Sequence, residues 1–121
     1  MSEYDLISIC GIRYETIAKI NNRAYKYYNN NDIIHAFIDW YYIMQKLKPL
    51  IFNDSNLQIF KNSYTIQILS EILYNIEIIN NISSKDKIFD KILKDKYGIH
   101  LIKLMDFKKH FDENYYYCYK L

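Results

Sequence analysis

The spacing of apolar residues along the chain predicts a series of amphipathic helices. From Tyr14 to Tyr28, apolar side chains recur at steps of three and four, with most basic residues between them, as on one face of a helix. A second stripe covers residues 32–48 and follows the polar sequence NNND at 29–32. Asn and Asp at such a position favour a loop and a helix N-cap. Pro49 then predicts the end of the second helix, because proline has no backbone N–H to donate.

A third helix is predicted over residues 56–79. Ser55 and Gln58 have the spacing of a capping box at its start. This segment carries few charges, which is typical of the central helix of a bundle or of a helix in an oligomer interface. The sequence NNISS at 80–84 then interrupts the apolar pattern.

The remaining chain predicts two shorter helices, one over residues 84–97 and one over residues 99–111. Gly98 lies between them and suits a helix C-terminal cap. The tyrosine-rich tail, residues 112–121, fits either an extension of the last helix or an extended segment, since tyrosine clusters also favour strands. At the other end of the chain, residues 5–10 add a short helical turn that Gly11 interrupts.

The composition points to the same fold class. Half of the residues are hydrophobic and 25% are charged, as in folded domains rather than disordered chains. Only two glycines and one proline occur, which disfavours a hairpin-rich β fold. We therefore predict one domain, residues 1–121, that forms a single all-α bundle of four to five helices with a short tyrosine-rich C-terminal segment.

Part of the second helix and the segment before it resemble a known repeat. Six positions have spacings similar to those of a tetratricopeptide helix pair, and they are Ala24, Tyr27, Asn31, Ile33, Ala36 and Trp40. The resemblance covers residues 24–49 and no second unit follows at the repeat period. The resemblance implies an antiparallel helical hairpin and a peptide-binding role.

The composition and termini also predict the setting of the protein. Abundant Ile, Asn, Lys and Tyr with little Arg are typical of an AT-rich genome, such as that of a virus or mobile element. The first residues are acidic and lack a signal-peptide pattern, and no apolar run is long enough to span a membrane. Cys10 and Cys118 show no paired-cysteine motif. We expect a reduced, cytoplasmic protein, while a disulfide between these two cysteines stays open.

Catalytic and metal-binding motifs are not recognisable in the sequence. His35 with Asp39, and Asp106 with His110, have i,i+4 spacing, but a metal site needs three or four converging ligands. The cysteines and serines have no supporting base or nucleophile turn, and two isolated glycines cannot form a phosphate loop. We expect no enzyme activity, no catalytic residues, no metal and no cofactor.

Two binding functions remain. The favoured one is a protein-interaction module, which would act as a small adaptor or inhibitor of a partner protein. A chain this short has too few residues to bury both sides of the third helix, so this helix would bind either a partner protein or a second copy of the chain. Exposed tyrosines are efficient interface anchors, and we expect these contact residues: Tyr25, Tyr42, Tyr115, Tyr116 and Tyr119.

The alternative is a nucleic-acid-associated accessory protein. Residues 84–109 contain eight Lys and four Asp, and lysines on one face can neutralise phosphates. The candidate residues for this role are Lys87, Lys91, Lys94, Lys103 and Lys108. A solvated lysine face is the commoner reason for such a pattern, and arginine, the usual reader of bases, is nearly absent.

Overall fold

The computed structural model of the protein describes residues 3–51, 53, 56, 63–83, 86–100 and 105–113. Over these residues the fold is all-α, as predicted, and no strand occurs. The helices with defined bounds are α1 (Glu3–Cys10), α2 (Tyr14–Asn29), α3 (Ile33–Ile51), α4 (Tyr64–Ser83) and α5 (Lys87–Tyr97). Residues 105–113 are also helical and are called α6.

A tight loop joins α2 to α3 and makes them an antiparallel hairpin. Asn31 adopts a left-handed conformation with φ of 64°, which asparagine tolerates better than most residues. The N–H of Asp32 donates to the Tyr27 carbonyl at 2.8 Å, and that of Asn31 donates to the Tyr28 carbonyl at 3.1 Å, the pattern of a Schellman cap. Asp32 also accepts from the His35 N–H at 3.3 Å, so the NNND sequence both ends α2 and caps α3.

Two polar contacts fix how the hairpin helices pack. The buried Trp40 indole N–H donates to the side-chain oxygen of Asn21 at 2.9 Å. One position nearer the loop on α3, the Asp39 carboxylate accepts from Arg23 at 2.8 and 2.6 Å. The side chain of Asp39 is only 9% exposed, so this bidentate contact gives a largely buried carboxylate its hydrogen-bond donors.

The core forms where α1 and α4 cover the hairpin. Both helices pack against α3, and Trp40 lies at the centre, with Tyr25 edge-on at 5.3 Å and Tyr28 at 5.9 Å between ring centroids. The fully buried large side chains of α1, α3 and α4 include Leu6, Phe37, Trp40, Ile43, Leu47, Ile66, Leu69 and Ile76. The aromatic density of residues 23–49 is therefore chiefly core.

The end of α3 differs from the prediction. The helix does not stop at Pro49 but continues to Ile51 with Pro49 inside its last turn. Because Pro49 lies in the last turn of α3, its missing N–H removes only one backbone hydrogen bond of the helix. Leu47 and Leu50, on either side of Pro49, are buried, and their burial stabilises this turn. Asn56 donates through its side chain to the Pro49 carbonyl at 3.1 Å, which satisfies a carbonyl at the helix end.

The third predicted helix is interrupted, since Asn56 is helical but the chain leaves the helical conformation at Ser63. Ser63 is not helical and α4 begins at Tyr64, so a single helix over 56–79 is wrong. The Ser63 hydroxyl accepts from the Ile66 N–H at 3.3 Å, as an N-cap does. The Asn pair at 80–81 does not end α4, because the low helix propensity of Asn costs only about 0.5 kcal/mol per residue. The predicted capping pair, Ser55 and Gln58, lies outside the described residues.

The C-terminal helices begin later than predicted. Asp86 is the N-cap of α5 and accepts from the Ile88 and Phe89 N–H groups, so this helix starts at Lys87 rather than at residue 84. Gly98 ends it in a left-handed conformation, as predicted. Ile99 and residue 100 are not helical. The first two residues of the predicted tail, 112–113, are helical and belong to α6. The rest of the tail lies outside the described residues.

The Asn21–Trp40 contact predicts a specific loss of stability. Asn21→Leu keeps the side-chain size but leaves the buried indole N–H without its acceptor, which costs about 1–3 kcal/mol of unfolding free energy. Asn22→Leu, on the exposed neighbouring position, is the matched control and should change it by less than about 0.5 kcal/mol. Urea unfolding measures both, and an equal loss in the two variants would contradict the contact.

The surroundings of Tyr25 predict that the free energy of unfolding depends on pH at alkaline values. Burial, together with its hydrogen bond to Glu71, raises the pKa of this phenol from 10.0 to about 12. The folded state thus holds the proton more tightly than the unfolded state, so the contribution of the hydroxyl is present below pH 10 and is lost as pH rises toward 12. Compared with Tyr25→Phe, the wild type should be more stable at neutral pH, and its advantage in urea unfolding should shrink over that range. An advantage that grows with pH would contradict this assignment.

Candidate functional site

The two helical tyrosines that were predicted to bind a partner differ in their exposure to solvent. Tyr42 is exposed, with 46% of its surface accessible. Tyr25 is half-buried rather than exposed, because its ring packs on Trp40. Its hydroxyl donates to Glu71 and accepts from Asn75 at 2.9 Å, so it ties α2 to α4. Tyr115, Tyr116 and Tyr119 lie outside the described residues.

Tyr42 borders an open cleft of about 320 Å³ that we call the Tyr42 cleft. It lies where α1, the loop after it, the start of α2 and the middle of α3 meet. Gly11 turns the chain there with φ of +67°, a conformation that side-chain-bearing residues rarely adopt. The lining residues are Ile7, Gly11, Ile12, Arg13, Thr16 and Tyr42.

The walls of the cleft are apolar in part. Ile7 is 40% exposed, whereas Ile12 is buried. Tyr42 adds an aromatic face with a hydroxyl. The positions around Tyr42 on α3 are packed, since Trp40 and Ile43 are fully buried and Tyr41 packs half-buried against the core. The Tyr42 side chain therefore projects from a backbone that the core holds in place.

Positive charge lies at the cleft. Arg13 is exposed and lines it, and the Lys46 ammonium lies 5.8 Å from the centroid of the Tyr42 ring, within cation–π range. Glu15 pairs with Lys19 at 3.0 Å, and this contact, with a smaller effect of the Arg13 charge, lowers the pKa of Glu15. Among the described residues, no carboxylate forms an ion pair with Arg13 or Lys46.

In the described part of the chain, neither His35 nor Cys10 belongs to a metal site. His35 contacts Asp32 at 2.7 Å, not Asp39, which binds Arg23, so the i,i+4 pair predicted from the sequence does not form. Within the described part of the chain no three His, Cys, Asp or Glu side chains converge as metal ligands do. Cys10 is buried, and burial raises the pKa of its thiol to about 11, which makes it a poor nucleophile at neutral pH.

The predicted lysine face is divided between two helices. Lys87, Lys91 and Lys94 are exposed on α5, and Lys94 pairs with Asp90 at 3.0 Å. Lys103 lies outside the described residues.

Lys108 is not a free phosphate contact. Its side chain is 18% exposed and lies between Glu77 at 3.4 Å and Asp112 at 2.5 Å. Burial alone would lower the pKa of Lys108, but the hydrogen bond to Asp112 and the two carboxylate charges raise it. This residue joins α6 to α4.

Residue spacing did not single out Ile7, Arg13 or Lys46 as parts of one site. Helical periodicity reports which residues share a face of one helix, whereas the cleft combines three elements. The one usable signal was Gly11, since a glycine that breaks a helical pattern marks a change of direction.

No known protein family, characterised protein or solved structure matches this chain. The tetratricopeptide resemblance of residues 24–49 is thus not supported by a family match; the structure shows an antiparallel hairpin in which the small residues Ala24 and Ala36 are buried. None of the helices in the described ranges has the length and apolar character that a bilayer crossing requires.

The position of Lys108 predicts a structural rather than a ligand-binding role. Lys108→Ala removes the link between Glu77 and Asp112 and should lower the unfolding free energy by about 1 kcal/mol. Lys109→Ala removes an exposed lysine from the next position and should be nearly neutral. Thermal and urea unfolding compare the two variants, and equal stability would contradict the role given to Lys108.

Proposed function

We propose that this protein is a non-enzymatic interaction module, a small adaptor or inhibitor that binds a segment of another protein in the Tyr42 cleft. The observation that carries the proposal is the exposed Tyr42 ring beside exposed Ile7 in a cleft between packed helices. Tyrosine contributes large contact area and a hydroxyl with few rotatable bonds, which is why it is enriched at binding hot spots. The composition makes a virus or mobile element the genomic setting that we propose.

A nucleic-acid-associated role is the second candidate. Lys87 and Lys91 are four residues apart on α5, both exposed, and no described carboxylate forms an ion pair with either. A lysine pair on one helix face can contact neighbouring phosphates. Asp90 and Asp95 on the same helix reduce the local field, so we rank this candidate below the interaction module.

Selection of random peptides against the immobilised protein tests the leading proposal. Selected peptides should bind the wild type and Tyr74→Ala equally, since Tyr74 is an exposed tyrosine on α4 outside the cleft. Tyr42→Ala should weaken them by about 30-fold, the effect of losing a hot spot worth about 2 kcal/mol. Because Tyr42 is exposed, this variant should keep the wild-type circular dichroism spectrum.

Three outcomes would decide against the leading proposal. The selection could yield no binding peptide, or peptides that bind Tyr42→Ala as well as the wild type. Alternatively, the protein could bind oligonucleotides with an affinity that falls steeply with salt and is removed by Lys87→Glu combined with Lys91→Glu. This last result would establish the second candidate instead.

A further inference from the structure

We infer that the ligand of the Tyr42 cleft is an acidic peptide segment of another protein, with an apolar side chain flanked by carboxylates. The inference rests on the proposed function and adds the chemistry of the partner. It follows from how apolar surface and charge are arranged at the cleft.

The apolar part of the ligand is set by the exposed walls. Ile7 and Tyr42 leave 40% and 46% of their surfaces accessible, and burying such surface is worth about 25 cal/mol per Å². The cleft volume of about 320 Å³ is at the lower end of the range for small-ligand sites. An anchor of one or two apolar side chains, rather than a folded domain surface, suits this size.

The charge of the ligand is set by Arg13, which lines the cleft, and by Lys46, which lies against the Tyr42 ring. Arg13 comes from the loop before α2 and Lys46 from α3, one helical turn after Tyr42. The described residues that line the cleft include no Asp or Glu, and Glu15 is engaged by Lys19. Arg13 and Lys46 thus form no ion pair with a described carboxylate, although the charge of Arg13 reaches Glu15 and helps to lower the pKa of that carboxylate. A peptide carboxylate would complement both basic side chains.

Arg13 and Lys46 differ in how they can bind a carboxylate of the peptide. A guanidinium can hold a carboxylate through two parallel hydrogen bonds, whereas the ammonium against the Tyr42 ring acts as a point charge. Salt would screen both contacts only in part once the peptide covers them. The salt dependence of peptide binding should therefore be shallow, unlike that of a polyanion such as nucleic acid.

Fluorescence anisotropy with three short labelled peptides tests the inference. The first has a Leu-Phe anchor between glutamates, the second replaces each glutamate by glutamine, and the third replaces the anchor by serines. The wild-type protein should bind the first peptide about tenfold or more tightly than either of the others, the ratio expected for a difference of about 1.4 kcal/mol.

Protein variants then locate the charge contacts. Arg13→Gln and Lys46→Gln should each weaken binding of the glutamate peptide several-fold and leave the glutamine peptide unchanged. Lys26→Gln removes an exposed charge of the same sign from α2, away from the cleft lining, and should have no effect. Such coupling between peptide charge and protein charge is what a double-mutant cycle measures.

The inference is overturned if the glutamate peptide does not bind, if the glutamine peptide binds as tightly, or if Lys26→Gln weakens binding as much as Arg13→Gln. It is also overturned if a single-stranded oligonucleotide displaces the glutamate peptide and depends on the same two residues. A different result would overturn the proposed function itself: peptides selected from a random library that bind independently of Tyr42. Selected peptides that depend on Tyr42 but contain no acidic residues would overturn only this inference.

Discussion

The fold is organised around one buried hydrogen bond, from the Trp40 indole N–H to Asn21. An indole donor left unpaired in an apolar core is costly, so only one relative position of α2 and α3 both buries the ring and satisfies its N–H. The Arg23–Asp39 contact one residue nearer the loop requires the same alignment. Apolar packing alone would tolerate small slips between the helices, whereas these directional contacts do not.

That alignment determines what the surface can present. With Trp40 and Ile43 fully buried, the outward position between them is Tyr42, whose exposed ring faces the region where Gly11 turns the chain. The loop from Gly11 brings Arg13 to the same cleft. A residue on the rigid centre of a helix and a residue at a turn thus form one surface, an arrangement suited to holding a short ligand without rearrangement of the backbone.

Local features of this protein could be predicted from its sequence better than contacts between distant segments. The NNND loop, the cap at Gly98 and burial of Trp40 follow from backbone preferences and helical spacing. Pro49 and the Asn pair at 80–81 did not end their helices, since packing outweighed propensity there. The position of Tyr25 could not be predicted, because its partners on α4 lie 46 and 50 residues away. The cleft was missed for the same reason, as its walls come from separate segments.

Hydrogen exchange of the single Trp indole tests the central claim most directly. Because the protein has one Trp, its indole N–H gives one resolved signal in a ¹H–¹⁵N spectrum. The account predicts that this proton exchanges only through global unfolding, so that its protection equals the unfolding free energy measured with urea. It also predicts that Asn21→Leu shifts this signal strongly while Asn22→Leu does not. An indole proton that exchanges at the rate of a solvent-exposed tryptophan would contradict the account of the hairpin and of the cleft built on it.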